Sequence, residues 1–84
     1  MTREAIHRMF VELLAEHFEI EREQVRGDAL LVADLDLDSL DFAALGAEIE
    51  AITGVALDEG DMRSSKTLGD LIDRLAARIS ERAL

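Results

Sequence analysis

The sequence predicts an all-α fold: a small four-helix bundle with three main helices, one short helix and a long loop between the first and second. Three observations carry this. Apolar residues recur at helical spacing in three separate stretches. No stretch shows sustained two-residue alternation, so no strand is expected. Capping signals, a hydroxyl or acidic residue followed three positions later by an acid, recur at Asp38/Asp41, Asp58/Asp61 and Thr67/Asp70. The 84 residues are expected to form one domain over 1–84.

The first helix is expected over Arg3 to Phe18, with Thr2 as its cap. Ile6, Phe10, Leu13, Leu14 and Phe18 form its apolar stripe. From Glu19 to Asp38 the period breaks. Ile20, Val25, Leu30, Leu31, Val32 and Leu35 are apolar but irregularly spaced, and Arg26-Gly27-Asp28 reads as a turn. A connection this long is functional or disordered in most small domains. Its many apolar residues predict that it is packed down. The second helix is expected over Ser39 to Thr53, with Phe42, Leu45, Ile49 and Ile52 facing the core and Gly54 as the stop. A short turn of helix is expected within Asp58 to Met62. The last helix starts near Thr67 with the stripe Leu68, Leu71, Ile72, Leu75 and Ile79, and Arg74, Arg78 and Arg82 suit the negative end of its dipole.

Nineteen acidic residues stand against nine basic ones, a formal net charge of -10. A phosphate backbone would be repelled, which argues against nucleic-acid binding. Anionic membrane surfaces are disfavoured for the same reason, and no run approaches transmembrane length. A partner with a Lys/Arg patch would be steered in quickly, an attraction that salt weakens. There is no cysteine, so any thiol chemistry must come from an added group. The N-terminus lacks the apolar core of a signal peptide, and a cytoplasmic location is expected. A chain of this size has a thin core and room for at most one modest apolar ligand.

The residue with the clearest chemical meaning is Ser39, in the run Asp34-Leu35-Asp36-Leu37-Asp38-Ser39-Leu40-Asp41. Asp38 can cap the second helix with Asp41 at its third position, which leaves Ser39 at the first helical position, facing outward. Taken alone, Asp-Ser-Leu is better explained by an ordinary helix start. The four aspartates have the flavour of a calcium loop but lack its central glycine and terminal glutamate, so no metal site is expected. His7 and His17 lie on the first helix, far from Ser39 in sequence. With no glycine elbow around the serine, no catalytic residues are assigned and the chain is not expected to be an enzyme. What is left is a hydroxyl that is presented rather than activated.

Here nearly the whole chain, from about Arg3 to Ile79, resembles the acyl carrier protein family. Beyond the run around Ser39, Ile49-Glu50 and Thr53-Gly54-Val55-Ala56-Leu57 look like the end of that family's second helix and the loop after it, and Thr67-Leu68-Gly69-Asp70-Leu71 resembles the start of its last helix. The resemblance implies a stand-alone carrier. A phosphopantetheinyl transferase would move 4'-phosphopantetheine from coenzyme A onto the Ser39 hydroxyl. The thiol of that arm would hold acyl groups as thioesters, which suits a chain with no sulfhydryl of its own. Asp38, Leu40, Asp41 and Glu48 would be recognised by acyl-transferring, condensing and modifying enzymes with basic docking patches, and the carrier would be a monomer. Glu48 and Glu50 are equally explained as a solvated helix face. The competing readings are an aminoacyl or D-alanyl carrier and an unmodified acidic adaptor.

Three positions depart from the fatty-acid type of that family. Ala44 stands where an acid is common, Gly46 sits within a run of small residues, and Thr53 stands where an aromatic often packs. They point towards a dedicated carrier in a polyketide or modified-lipid route. For Gly46 three explanations stand: space for an acyl chain inside the bundle, close approach of a partner helix, or a tight helix contact within the fold.

Overall fold

The computed structural model describes residues 1–83, the last by its backbone: α1 (Arg3–His17), a 3-10 turn (Arg22–Gln24), α2 (Ser39–Thr53), α3 (Glu59–Ser64) and α4 (Leu68–Ala83). The helices start where the caps were expected. Thr2 Oγ1 accepts the Ala5 N–H at 3.1 Å. Asp38, Asp58 and Thr67 each exchange hydrogen bonds with the acid three residues on. At α4 the Thr67 hydroxyl accepts the Asp70 N–H and Asp70 accepts the Thr67 N–H, both at 3.1 Å. The backbone N–H of Thr67, with that of Lys66, holds the Asp70 carboxyl below the usual carboxylate range.

The predicted helix limits hold to within about two residues. The turn of 3-10 helix was not anticipated. Three residues carry no apolar period, and its determinant is a local box in which Gln24 Oε1 accepts the Glu21 N–H. Gly54 ends α2 at φ +74, a left-handed conformation that costs glycine little, and its N–H reaches Glu50 O at 2.8 Å.

α1 packs on α4, and α3 bridges α2 to α4. Ile6, Phe10 and Leu14 of α1 and Leu68, Leu71 and Leu75 of α4 are all fully buried in one core. The long loop is packed down as expected: Val25, Leu31, Leu35 and Leu37 are buried in it. It is also sewn to the α3–α4 connection. Leu31 N–H donates to Lys66 O (3.0 Å), Leu68 N–H to Ala29 O (2.9 Å) and Gly69 N–H to Gly27 O (2.8 Å). The one departure from an all-helical fold among the described residues is the isolated bridge between Leu30 and Thr67 in this seam.

Two expectations are corrected. Ile52, assigned to the core stripe of α2, is 54% exposed. It lies at the margin of the arc set by Phe42, Leu45 and Ile49, near the helix end, where no element covers it. Arg74, Arg78 and Arg82 do more than complement a dipole. Arg74 and Arg78 reach across to the buried Asp61 at 3.1 and 2.7 Å, and Arg82 donates to Gly54 O at the end of α2.

Candidate functional site

Ser39 is the first residue of α2, and its position is set from both sides. Upstream, the loop closes as a hydrogen-bonded turn. Leu30 O accepts from both Asp34 and Leu35 N–H at 3.0 Å, Leu31 O accepts from Leu37 N–H at 3.1 Å, and Asp36 takes φ +55 to complete the turn. The Asp34 carboxylate accepts the Leu30 N–H at 2.8 Å and so belongs to the turn itself. Leu35 and Leu37 are driven into the core while Asp34, Asp36 and Asp38 alternate outward. Downstream, Asp38 Oδ1 accepts the Asp41 N–H at 2.9 Å and Asp41 Oδ2 accepts the Asp38 N–H at 3.1 Å. That reciprocal box fixes the entry of the chain into α2 and turns Ser39 to solvent.

Neither histidine serves the hydroxyl. His7 Nε2 lies 3.1 Å from Val25 O, and His17 Nε2 lies 4.0 Å from the Glu48 carboxylate. Among the described residues no group of acidic and histidine side chains is arranged to hold a metal ion.

Beside Ser39 a cleft of about 180 Å³ opens between α2 and α3, lined by Ser39, Phe42, Ala43, Leu57, Met62, the α3 cap Asp58 and Glu59. Its floor is formed by Met62, which is fully buried, and its mouth is the helix start that carries the hydroxyl. An exposed serine at the mouth of a small cleft, with both histidines engaged elsewhere, suits a covalently tethered group better than chemistry of its own.

The other residues singled out in the sequence lie close by but not all in one place. Leu40 is 80% exposed, next to Ser39. Asp38 is exposed and Asp41 half-buried, both engaged in the capping box. Glu48 is set apart: it lies on the α1 side of α2, half-buried opposite His17. Gly46 is buried. A Cβ there would stand 3.2 Å from Leu57 O and 3.6 Å from Met62 Cε. That geometry makes Gly46 the close contact of α2 with the Leu57 strand of chain and α3, out of reach of any partner helix.

A feature that the sequence reading missed is the burial of Asp61 and its pairing with α4. Asp61 is 3% exposed, and one carboxylate serves two elements. It accepts the Asp58 N–H at 3.0 Å to cap α3, and it accepts from Arg74 and Arg78 of α4. Burial pushes its pKa upward, but the hydrogen bond from Asp58 and the two guanidinium groups outweigh it and hold the carboxyl below its usual range. The signal lay in Arg74 and Arg78, spaced four apart on the same face as the apolar stripe's edge.

Comparison with known proteins agrees with this geometry. Residues 9–75 match the family described as the phosphopantetheine attachment site. The chain is 30% identical over 73 residues to the acyl carrier protein of Lactobacillus johnsonii, covering 87% of this chain and 91% of that one. It is 30% identical over 78 residues to the acyl carrier protein of Thermotoga maritima (93% and 96% covered), and 38% identical over 69 residues to acyl carrier protein MbtL of Mycolicibacterium paratuberculosis (82% and 78% covered). The chain therefore belongs to the phosphopantetheine-binding acyl carrier protein family. As a member it is a carrier rather than an enzyme, it takes a covalent 4'-phosphopantetheine, and its partners include a phosphopantetheinyl transferase and biosynthetic enzymes. No helix among the described residues is long and apolar enough to cross a membrane.

Proposed function

We propose that residues 1–84 act as one monomeric carrier domain whose arm is attached at Ser39, and that it shuttles acyl intermediates among enzymes of fatty-acid, polyketide or related lipid biosynthesis in the cytoplasm. The observation that carries this reading is the exposed Ser39 hydroxyl at the first turn of α2, at the mouth of the cleft. The arm supplies the thiol that this chain lacks and holds the cargo as a thioester. The chain's own contribution is position. The Asp38–Asp41 box holds Ser39 outward, and the α2 N-terminus presents partial positive charge towards a phosphate bound there. Asp38, Leu40, Asp41 and Glu48 are proposed as partner contacts; for Asp38 and Asp41 this coexists with capping. Exposed ion pairs are worth about 0.2–1 kcal/mol each, so such docking is fast and transient, as a shuttle requires. Ala44 and Thr53, which depart from the fatty-acid type, favour a dedicated carrier of a polyketide or modified-lipid route.

Incubation with coenzyme A and a broad-specificity phosphopantetheinyl transferase, followed by intact mass measurement, tests the attachment. One arm's mass is expected on the wild type and none on Ser39→Ala. Loading of Ser39→Ala at the wild-type rate would move the site elsewhere. The mass of the species isolated from producing cells would identify the cargo.

A further inference from the structure

The turn that delivers Ser39 holds Asp36 at φ +55, a conformation that a non-glycine residue keeps only where its surroundings fix it. What fixes it can be traced bond by bond. Asp70 Oδ2 accepts from both Lys66 N–H and Thr67 N–H at 3.1 Å. The Thr67 N–H and the Lys66 carbonyl belong to one planar peptide unit, so the carboxylate that holds the first aims the second. Lys66 O accepts from Leu31 N–H at 3.0 Å. That N–H in turn shares its peptide plane with Leu30 O, which accepts from Asp34 and Leu35 N–H at 3.0 Å and closes the turn. A single chain of hydrogen bonds thus runs from a charged carboxylate on α4, through two peptide planes, to the turn before the serine. Such chains polarise one another, and the charge at the end strengthens the first bonds. Leu31 is 1% exposed, so water offers its peptide groups no substitute, and its own carbonyl accepts from Leu37 N–H, one residue before the Asp38 cap.

Gly69 sets the spacing of the same seam. Its N–H donates to Gly27 O at 2.8 Å, and a Cβ on it would stand 3.0 Å from that oxygen. A side chain there has to push the two segments apart.

We propose that Asp70, with Gly69 beside it, is a positioning residue for arm transfer: it acts through the backbone to hold the Ser39 hydroxyl where the transferase can use it. This rests on the reading of Ser39 as the attachment point. In the transfer the Ser39 oxygen bonds to the phosphorus that carries pantetheine. The pyrophosphate bond of coenzyme A breaks, the adenosine bisphosphate half leaves, and the serine proton passes to a base of the transferase. Asp70 and Gly69 lie on α4 and not on α2, so changing them leaves the residues around Ser39 in place. The effect then falls on turnover rather than on docking, because small misplacements of a reacting atom are costly.

The test loads the full chain with a broad-specificity phosphopantetheinyl transferase and coenzyme A, at a temperature where circular dichroism shows each variant folded. Asp70→Ala is expected to lower kcat about fivefold with KM within about twofold of wild type. Asp70→Asn keeps an oxygen acceptor in the same place and is expected to recover most of that loss. Gly69→Ala keeps the side-chain bonds of the cap and presses on Gly27 O; a fall in kcat of about threefold is expected, so the test does not depend on Asp70→Ala folding. Thr2→Ala removes the cap of α1, shares no bond with the seam, and is expected to melt lower yet load at the wild-type rate. Hydrogen exchange reads the link itself: relative to α1, the amides of Leu31, Asp34 and Leu35 are expected to exchange faster in Asp70→Ala and not in Thr2→Ala. Wild-type turnover in both Asp70→Ala and Gly69→Ala, a loss carried wholly by KM, or equal slowing in Thr2→Ala would each overturn the proposal. Loading of Ser39→Ala would instead overturn the Ser39 reading, and the three amides would still report whether Asp70 holds the turn.

Discussion

At the residue scale, the site is built from short-range rules. Asp38 and Asp41 were legible as a capping box because the three-residue spacing is a local signature, and Ser39 followed from it as an outward-facing first residue. Replacing Asp38 with Ala is expected to destabilise the fold by about 1 kcal/mol, read as a lower urea midpoint, through loss of the acceptor for the Asp41 N–H. The capping role of Asp61 was legible in the same way, but its ion pairs were not, since its two arginine partners are 13 and 17 residues away and lie on another helix. Asp61→Asn is expected to cost about 1–3 kcal/mol, a range set below that of a fully enclosed ion pair because both arginines are partly exposed. The sign with pH follows from the lowered pKa. The folded state binds protons at Asp61 less readily than the unfolded state, so the stabilisation is complete above the usual carboxylate range and fades as pH falls through it. The gap in stability between wild type and Asp61→Asn should therefore be constant near neutrality and close below about pH 4.

At the scale of elements, helix limits came from caps and stops, and the core stripes of α1 and α4 from periodicity. Ile52 shows where periodicity runs out: a residue at the edge of an apolar arc is buried only if a neighbour extends over it, and that is tertiary information. Gly46 shows the reverse. As a glycine in a helix it looked costly, by about 1 kcal/mol relative to Ala. The Leu57 carbonyl, 3.2 Å from where its Cβ would be, supplies the reason. Gly46→Leu is expected to lower stability by about 1–3 kcal/mol by forcing α2 away from the Leu57 segment. Thermal melting of that variant checks it, with Ala44→Leu, at an exposed site of the same helix, expected to melt near wild type.

At the scale of the whole molecule, charge and length were read directly from composition. The excess of ten negative charges opposes compaction, and the described ion pairs at the surface, such as Arg3–Asp73 and Arg63–Glu59, offset little of it. Raising salt from about 0.01 M to about 0.15 M shortens the screening length from about 30 Å to about 8 Å and is expected to raise the melting temperature. A melting temperature that falls with salt would show that the ion pairs outweigh the repulsion. The seam between the long loop and the α3–α4 connection could not be read from composition or period, because it is made of backbone groups. Its effect is nonetheless global, since it fixes the loop that delivers Ser39.

The double duty of Asp61 bears on how the molecule comes apart. Six residues are too few for α3 to persist as an isolated helix. Its order is lent to it by one carboxylate and the two arginines of α4. Removing that carboxylate, as in Asp61→Asn, withdraws the loan. α3 forms one wall of the cleft next to Ser39, and its amides are expected to exchange with solvent through a local opening well below the free energy of global unfolding.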